Sequence, residues 1–272
     1  MKQNELKNLI EIKIWEFIEK YDEGTDALAG RLWRKPIIGY ADVNHPYIAQ
    51  LPQIVRDTQQ MPLDVMPDAT VIFSCFVPFT KAVAQSNKSS DYLASPEWAQ
   101  AYEYTNAMLP KLNEMFIDLL GKLGYKGEVA PESKIFDNKI LKSNWSHRHF
   151  AYASGIGTFG LNNMLITKAG CSGRLTTIVT NLDIEPGKPM EEELCLYKKE
   201  GKCGVCVKHC PPKALTFEGY DRVKCYAQCW ENAKVYTEFG SSYLNSAGDV
   251  NAVGSEVCGK CVTYAPCTYK EI

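Results

Sequence analysis

The sequence predicts an α/β (α+β) domain over residues 1–185 and a smaller, cysteine-rich domain over residues 186–272. Short apolar segments alternate with helical ones in the first part, as they do in α/β and α+β folds. The Pro-Gly-Lys-Pro segment at 186–189 is typical of a linker, and we place the boundary there. Nine of the 11 cysteines follow this linker. The second domain is therefore expected to hold metal.

The first domain is predicted to begin with an amphipathic helix. Over residues 1–20 apolar side chains recur every three or four positions between charged ones, which is the pattern of a helix on a core. A proline-rich loop region is expected over residues 31–67. A long helix is predicted at 95–123, where Pro110 should kink or split it. The remaining predicted elements are a helix at 146–154 and extended segments at 69–78, 128–140, 161–167 and 174–182.

Composition and charge exclude several classes of protein. Hydrophobic residues make up 45% of the chain and charged residues 23%, as in ordinary globular proteins. The formal net charge of -2 provides no overall positive field, so charge does not support tRNA as a partner. No segment approaches the ~20 apolar residues that span a membrane. The N-terminal helix lacks the uninterrupted apolar run of a secretory signal, so we expect a cytoplasmic protein without a membrane partner.

The cysteines of the second domain have the spacing of iron–sulfur ligands. Cys203, Cys206 and Cys210, the last followed by Pro211, match the final three members of the bacterial ferredoxin run Cys-x2-Cys-x2-Cys-x3-Cys-Pro. The last cysteine of that run binds the other cluster, so the spacing predicts a ferredoxin-like module with two [4Fe–4S] clusters that exchange one cysteine each. The first set of ligands would be Cys195, Cys203, Cys206 and Cys267, and the second set would be Cys210, Cys225, Cys258 and Cys261.

Alternatives to this assignment stay open at the level of sequence. Cys-x2-Cys pairs also occur in structural zinc sites, although the x3-Cys-Pro that follows here is a ferredoxin feature. Cys229 lies one helical turn after Cys225, so either could be the ligand, and we prefer Cys225. Cys75 falls in an apolar segment and is expected in the core. Cys171 is left without a role.

The segment SHRHFAYASGIGTFGLNNMLIT at 146–167, together with the cysteine motifs at 203–211 and 258–261, resembles the epoxyqueuosine reductase family. The wider superfamily includes the reductive dehalogenases. The resemblance implies that the two clusters pass electrons to a cobalamin in the α/β domain, where the substrate is reduced. It also implies an electron donor such as a ferredoxin or flavodoxin, and a small-molecule or modified-nucleoside substrate. We expect a short relative without the helical repeats that follow the clusters in those reductases.

A glycine motif, Gly155-x-Gly157-x-x-Gly160, matches a dinucleotide fingerprint in letters only. A true fingerprint follows a strand and opens a helix, whereas here a helix is predicted before it and a strand after it. Given the resemblance, we interpret this motif as a loop whose backbone approaches a planar cofactor, with a plain turn as the alternative. Arg148 is assigned to the same cofactor-binding group.

Candidate proton donors for the implied reduction are Asp137 and His149. The ordinary pKa of histidine lies near neutrality, which suits proton transfer. The alternatives are a turn residue for Asp137 and a solvated helix face for His149. A basic run beside the cysteines is a candidate surface for an acidic electron donor, with a solvated loop as its alternative. The run consists of Lys198, Lys199, Lys202 and Lys208.

Overall fold

A four-stranded antiparallel sheet forms the centre of the protein in the computed structural model, which describes residues 2–88 and 92–271. The strand order is β1-β2-β6-β3, and each neighbouring pair is antiparallel. Two further short strands, β4 and β5, form a separate hairpin. The strands are β1 (Ile37–Asp42), β2 (Val71–Pro78), β3 (Gly127–Glu128), β4 (Gly157–Phe159), β5 (Leu165–Thr167) and β6 (Gly173–Thr180).

Helices cover both faces of the sheet, and β2 lies between them. All eight residues of β2 are buried, which explains why its sequence is a nearly continuous apolar run. Because successive side chains in a strand point to opposite faces, Phe73 and Val77 belong to the larger core on one face, while Ile72 belongs to the smaller core on the other. The larger core includes the helices α1 (Gln3–Glu23) and α6 (Pro96–Lys122).

The long helix α6 begins and runs as its sequence predicts. The Ser95 hydroxyl accepts a hydrogen bond from the Trp98 amide at 3.2 Å, and Pro96 occupies the first turn. Pro110 lies inside the helix, which continues to Lys122, so the predicted split does not occur. The other helices are α2 (Pro46–Ala49), α3 (Leu51–Ile54), α4 (Pro62–Val65), α5 (Lys81–Ser86), α7 (His147–Ala153), α8 (Leu196–Glu200), α9 (Val205–Lys208) and α10 (Arg222–Val235). Three 3₁₀ turns lie at Pro131–Lys134, Thr237–Phe239 and Lys260–Val262.

The mixed α/β class predicted from the sequence is confirmed, and three predicted elements are corrected. The region 31–67 is not only loop, because its prolines flank β1 instead of interrupting it. The segment 128–140 is not an extended run: after β3 it turns at Pro131–Lys134 and continues irregularly. The predicted strand at 161–167 is limited to β5, because residues 160–164 form the turn that joins it to β4.

The described part of the second region, residues 186–271, consists of short helices and turns, and its backbone bonds to the first region. The Cys171 amide donates to the Cys267 carbonyl at 2.8 Å, and the Ser172 amide donates to the Thr268 carbonyl at 3.1 Å. The predicted linker is also packed down, since the Gly187 amide donates to the Tyr40 carbonyl at 2.7 Å. The domain boundary at 185/186 stays a prediction. No helix in the described ranges has the length and apolar character to cross a membrane.

Candidate metal centre

The structure brings the four cysteines of the first predicted set to the walls of one pocket. Cys195, Cys203, Cys206 and Cys267 all line this small cavity of about 20 Å³. The Leu161 amide points to Cys195 Sγ at 3.4 Å. Hydrogen bonds from the backbone to sulfur are a common feature of cluster sites, because they stabilise the bound thiolate.

The cysteines of the second predicted set are also neighbours. Cys225 and Cys261 pack against the small apolar cluster that contains Cys210. Burial raises the pKa of the Cys261 thiol, and the nearby Cys258, Cys225 and Cys210 raise it further. Burial likewise raises the pKa of Cys258 to about 12, although the Lys260 amide opposes this. Several buried thiols so close together become thiolates only when a cation compensates their charge.

The spacing of these sulfurs bears on the alternative of structural zinc. Among the residues that the structure describes, no group of three cysteine, histidine or carboxylate side chains converges as a single metal ion requires. Zinc draws its four ligands to one point at about 2.3 Å from each sulfur. A cubane presents its irons at separate corners, so its thiolates stand further apart. The choice between zinc and iron–sulfur clusters stays a prediction from the Cys-x3-Cys-Pro motif.

The three cysteines outside the two sets have different surroundings. Cys75 is fully buried in β2 and belongs to the larger core. Cys171 lies against a member of the first set, with its Sγ 3.9 Å from Cys267 Sγ. The hydrogen bond from Cys171 lowers the pKa of Cys267, whereas that of Cys171 is raised by the same bond and by burial.

Cys225 and Cys229 form a second pair of this kind on α10. A hydrogen bond from Cys229 is the largest cause that lowers the pKa of Cys225 to about 6, and the Tyr220 hydroxyl and two guanidinium groups add to the effect. The pKa of Cys229 is raised by the same bond and by burial. The preference for Cys225 over Cys229 as the ligand stays a prediction.

Arg148 lies beside the second cysteine set. Its guanidinium donates to the Asn163 carbonyl and contacts Met164 Sδ at 3.5 Å. Burial lowers the pKa of Arg148, and the positive charge of Arg222 lowers it further. Both arginines lie close enough to Cys225 to favour its thiolate. Arg148, a predicted cofactor residue, therefore places a positive charge beside the second cysteine set.

The histidines of α7 point into the protein. His149 Nδ1 lies 2.6 Å from the Ser146 hydroxyl, and its ring packs against Phe159 with centroids 4.8 Å apart. Burial and Arg148 lower the pKa of His149 to about 4, so its ring is neutral at neutral pH and the expected near-neutral pKa is not found. His147 Nδ1 lies 2.8 Å from the Thr177 hydroxyl. His149 is thus partly buried and not fully solvated, and its role in proton donation stays a prediction.

The predicted glycine motif is covered by the chain itself. Gly155 has a φ of 75°, and a Cβ there would collide with the Lys188 carbonyl of the linker. A Cβ at Gly157 would collide with the Ile166 carbonyl on β5. At Gly160 it would lie 2.5 Å from the side-chain oxygen of Asn162. Each glycine is thus required by a close approach of protein to protein, and its cofactor-binding role stays a prediction.

Asp137 occupies a turn. Its Oδ1 accepts hydrogen bonds from the amides of Lys139 at 3.0 Å and Ile140 at 3.3 Å. Its backbone pairs with Lys142 across the same turn. These contacts are those of the turn residue named as the alternative. The proposed role in proton donation is not tested by them.

Three of the four lysines of the basic run contact other groups of the protein. Lys198 Nζ donates to the Phe159 carbonyl at 2.6 Å. Lys199 pairs with Glu192, and Lys202 pairs with Glu200, each at 3.5 Å. These are exposed side chains, and such pairs contribute little to stability.

Asn162 is a residue that sequence reasoning missed. It is buried, lines the first pocket, and donates from Nδ2 to the Cys261 carbonyl of the second set at 3.1 Å. The same nitrogen lies 4.0 Å from Cys171 Sγ. One side chain therefore contacts the second cysteine set and the spare thiol of Cys171 beside the first set. Its position two residues after Gly160 was visible, but the partner lies 99 residues further along the chain.

Comparison with known proteins yields no matching family model, but it does yield relatives. The chain is 25% identical over 169 residues to an epoxyqueuosine reductase of Lactococcus garvieae, a match that covers 60% of this chain and 43% of that protein. The chain thus spans less than half the length of the curated relative it matches.

Solved structures share the fold. The epoxyqueuosine reductase of Streptococcus thermophilus has a TM-score of 0.54 at 16% identity, covering 94% of this chain and 65% of its own. The epoxyqueuosine reductase of Bacillus subtilis has a TM-score of 0.56 at 18% identity, and the match covers 98% of this chain and 66% of that protein. A catabolic reductive dehalogenase in complex with 3-bromo-4-hydroxybenzoic acid has a TM-score of 0.54 at 13% identity, and the match covers 93% of this chain and 31% of that protein. The resemblance predicted from the sequence, to both groups of proteins, is confirmed.

Proposed function

We propose that the chain is an iron–sulfur oxidoreductase similar to epoxyqueuosine reductases, with two [4Fe–4S] clusters in a ferredoxin-like module over residues 186–272. The observation that carries this proposal is the first pocket, because four cysteines spread over 73 positions of sequence line one small space. Bound clusters of this type transfer electrons one at a time. We place the protein in the cytoplasm, where thiols stay reduced.

The residues around the two sets have separate tasks in this proposal. The cysteines bind iron, and the apolar walls of the first pocket exclude water, which influences the reduction potential. Arg148 and Arg222 place positive charge near the second set and so favour its thiolates. His149, held by Ser146, is neutral and carries one ring N–H that would donate a hydrogen bond to a bound substrate, while Asp137 is the second candidate for proton donation.

The corrinoid is the part of the proposal that this structure supports least. Its support is the resemblance of residues 146–167 and of the cysteine motifs. The three glycines do not form an open cradle, since the linker, β5 and Asn162 cover them. These three glycines therefore do not fit a corrin ring as they stand. This observation favours the second candidate, an electron-transfer iron–sulfur protein without cobalamin or tRNA activity.

The proposed modified-nucleoside substrate has support from one of the relatives. One solved epoxyqueuosine reductase is bound to an epoxyqueuosine-modified tRNA stem loop, and it has a TM-score of 0.58 to this chain. We propose a small-molecule or modified-nucleoside substrate and a ferredoxin or flavodoxin as electron donor. The net charge of -2 gives no support to a grip on tRNA itself.

Metal analysis tests the clusters. After anaerobic reconstitution we expect about eight irons per chain, four for each cubane, and an electron paramagnetic resonance signal on reduction. Cys75→Ala is the matched control, because this cysteine lies within β2 and belongs to neither ligand set, and it should retain all of the iron. Zinc without iron in the reconstituted protein would contradict the proposal.

Cobalamin binding separates the two candidates. The iron-loaded protein is mixed with cobalamin and passed through a gel-filtration column. Stoichiometric co-elution would establish the corrinoid form and would require the glycine loop to open. Elution of all cobalamin in the small-molecule fraction, with iron retained by the protein, would establish the electron-transfer form.

A further inference from the structure

Cys171 is a buried thiol that the two predicted ligand sets leave unused. It is 3% exposed and lies just before β6, in the first region of the chain. Its sulfur nevertheless faces the second region, where Cys267 belongs to the first ligand set. The question is what a fifth thiol does beside four metal-binding ones.

The backbone fixes this thiol in place. Residues 171 and 172 donate amide hydrogen bonds to the carbonyls of Cys267 and Thr268, so the two segments run side by side. Gly170 has a φ of 102°, and a Cβ there would collide with the Thr268 carbonyl. The approach is therefore as close as a backbone without a side chain allows. Cys171 and Cys267 are held together independently of their own side chains.

The side chains then meet directly. Cys171 Sγ donates towards Cys267 Sγ at 3.9 Å. Asn162 Nδ2 lies 4.0 Å from Cys171 Sγ and donates a hydrogen bond to the Cys261 carbonyl. The buried Cys171 sulfur thus lies 3.9 Å from a predicted ligand sulfur, that of Cys267, which is partly exposed to solvent.

We propose that Cys171 is a fifth cysteine of the first cluster site, which donates an S–H hydrogen bond to Cys267 and replaces it as the iron ligand when Cys267 is removed. In the replacement the Cys171 thiol releases its proton to solvent, and its thiolate forms the bond to the iron that Cys267 would have bound. No electron is transferred in this exchange. The proposal rests on the proposed clusters.

Iron content tests the replacement. Cys267→Ala, Cys206→Ala and the double variant Cys171→Ala/Cys267→Ala are reconstituted anaerobically beside the unaltered chain. Cys206 is the matched control, because it lines the same pocket and the cysteines near it belong to the two ligand sets. We expect Cys267→Ala to retain as much iron as the unaltered chain. Cys206→Ala and the double variant should contain less iron, because the first cluster site then lacks a ligand.

Two results would overturn this proposal. One is a loss of iron from Cys267→Ala equal to that from Cys206→Ala, and the other is full retention by the double variant. Circular dichroism confirms that each variant is folded before its iron is counted. If the unaltered chain itself fails to bind about eight irons, the proposed function fails instead, and the two failures are distinguishable.

The hydrogen bond has its own readout in a chain that keeps all eight ligands. Hydrogen bonds to ligand sulfur stabilise the reduced, more negative cluster. Potentiometric titration of Cys171→Ala should therefore show one cluster shifted to a more negative potential, while Cys171→Ser, which keeps a donor, should restore most of the shift. Identical potentials for the alanine variant and the unaltered chain would refute the hydrogen bond.

Discussion

Around β2 every side chain is buried between two layers of helices, whereas residues 195–267 contain three helices and short turns. The second region also leaves more apolar surface uncovered: seven of the thirteen large exposed hydrophobic residues among those described follow residue 186. A segment with so small a core needs another source of stability. The first region is held by burial, and the second is expected to be held by its metal.

Removal of iron should produce the largest difference between the two regions. Under chelation we expect amide exchange over residues 195–267 to accelerate by orders of magnitude, because metal binding supplies the folding free energy of such modules. Amides of β2 should retain their protection, since none of its residues belongs to either ligand set. Hydrogen exchange with mass spectrometry measures both in one experiment. Equal acceleration in β2 would show that the two regions unfold as one.

A substitution in the core of the first region should lower the free energy of unfolding without changing the iron content. The rings of Phe73 and Phe116 pack with centroids 4.2 Å apart in the larger core, and both are fully buried. Phe73→Ala should reduce the free energy of unfolding by about 3–5 kcal/mol. Val253→Ala, at a side chain that is 78% exposed, should change it by less than about 0.5 kcal/mol. Denaturant unfolding monitors stability, and the iron content of the folded Phe73 variant should stay unchanged.

Acid should weaken the first region through α7. The pKa values of His147 and His149 are lowered to about 4 in the folded state, mainly by burial. The unfolded chain binds protons on these groups below about pH 6.5 and the folded chain does not, so stability is full above pH 6.5 and falls towards pH 4. Each histidine contributes on the order of 3 kcal/mol to this loss.

The variant His147→Gln isolates one of these contributions. Gln does not titrate, so the dependence of unfolding free energy on pH between 6.5 and 4 should become about half as steep. Guanidinium unfolding curves at several pH values give the slope. An unchanged slope would mean that His147 titrates equally in the folded and unfolded chain.

The smallest effect is expected on the exposed rim of the second region. Lys199 pairs with Glu192 at 3.5 Å, and both side chains are about half exposed. Lys199→Ala should change the free energy of unfolding by less than about 0.5 kcal/mol and leave the iron content unaltered. A loss of iron from this variant would show that the surface pair holds the Cys195 loop in place.

The strongest sequence patterns predicted the first region well. Helices α1 and α6 and strand β2 carry long periodic or continuous apolar runs, and these local signals survive in the structure. Strand β1 was missed because it is short, contains a glycine and lies among prolines. Its place is determined by pairing with β2 along the whole of β1, which is a tertiary property.

The cysteine sets were predictable for a different reason. Metal coordination demands fixed spacings, so Cys203, Cys206 and Cys210 reveal themselves within eight positions. The contact of Cys171 with Cys267 could not be predicted, because 96 positions separate them and only the backbone pairing of the two regions brings them together. The asymmetry between Cys225 and Cys229 likewise depends on Tyr220 and two arginines that surround α10.

The amide of Asn162 touches the carbonyl of one ligand loop and the thiol beside the other. We expect this side chain to couple the two proposed cluster sites, so that filling one of them favours filling the other. Loading of metal should then be cooperative: chains with four irons should be scarce beside chains with none and chains with eight. Asn162→Ala would uncouple the sites, and half-filled protein would accumulate during an iron titration.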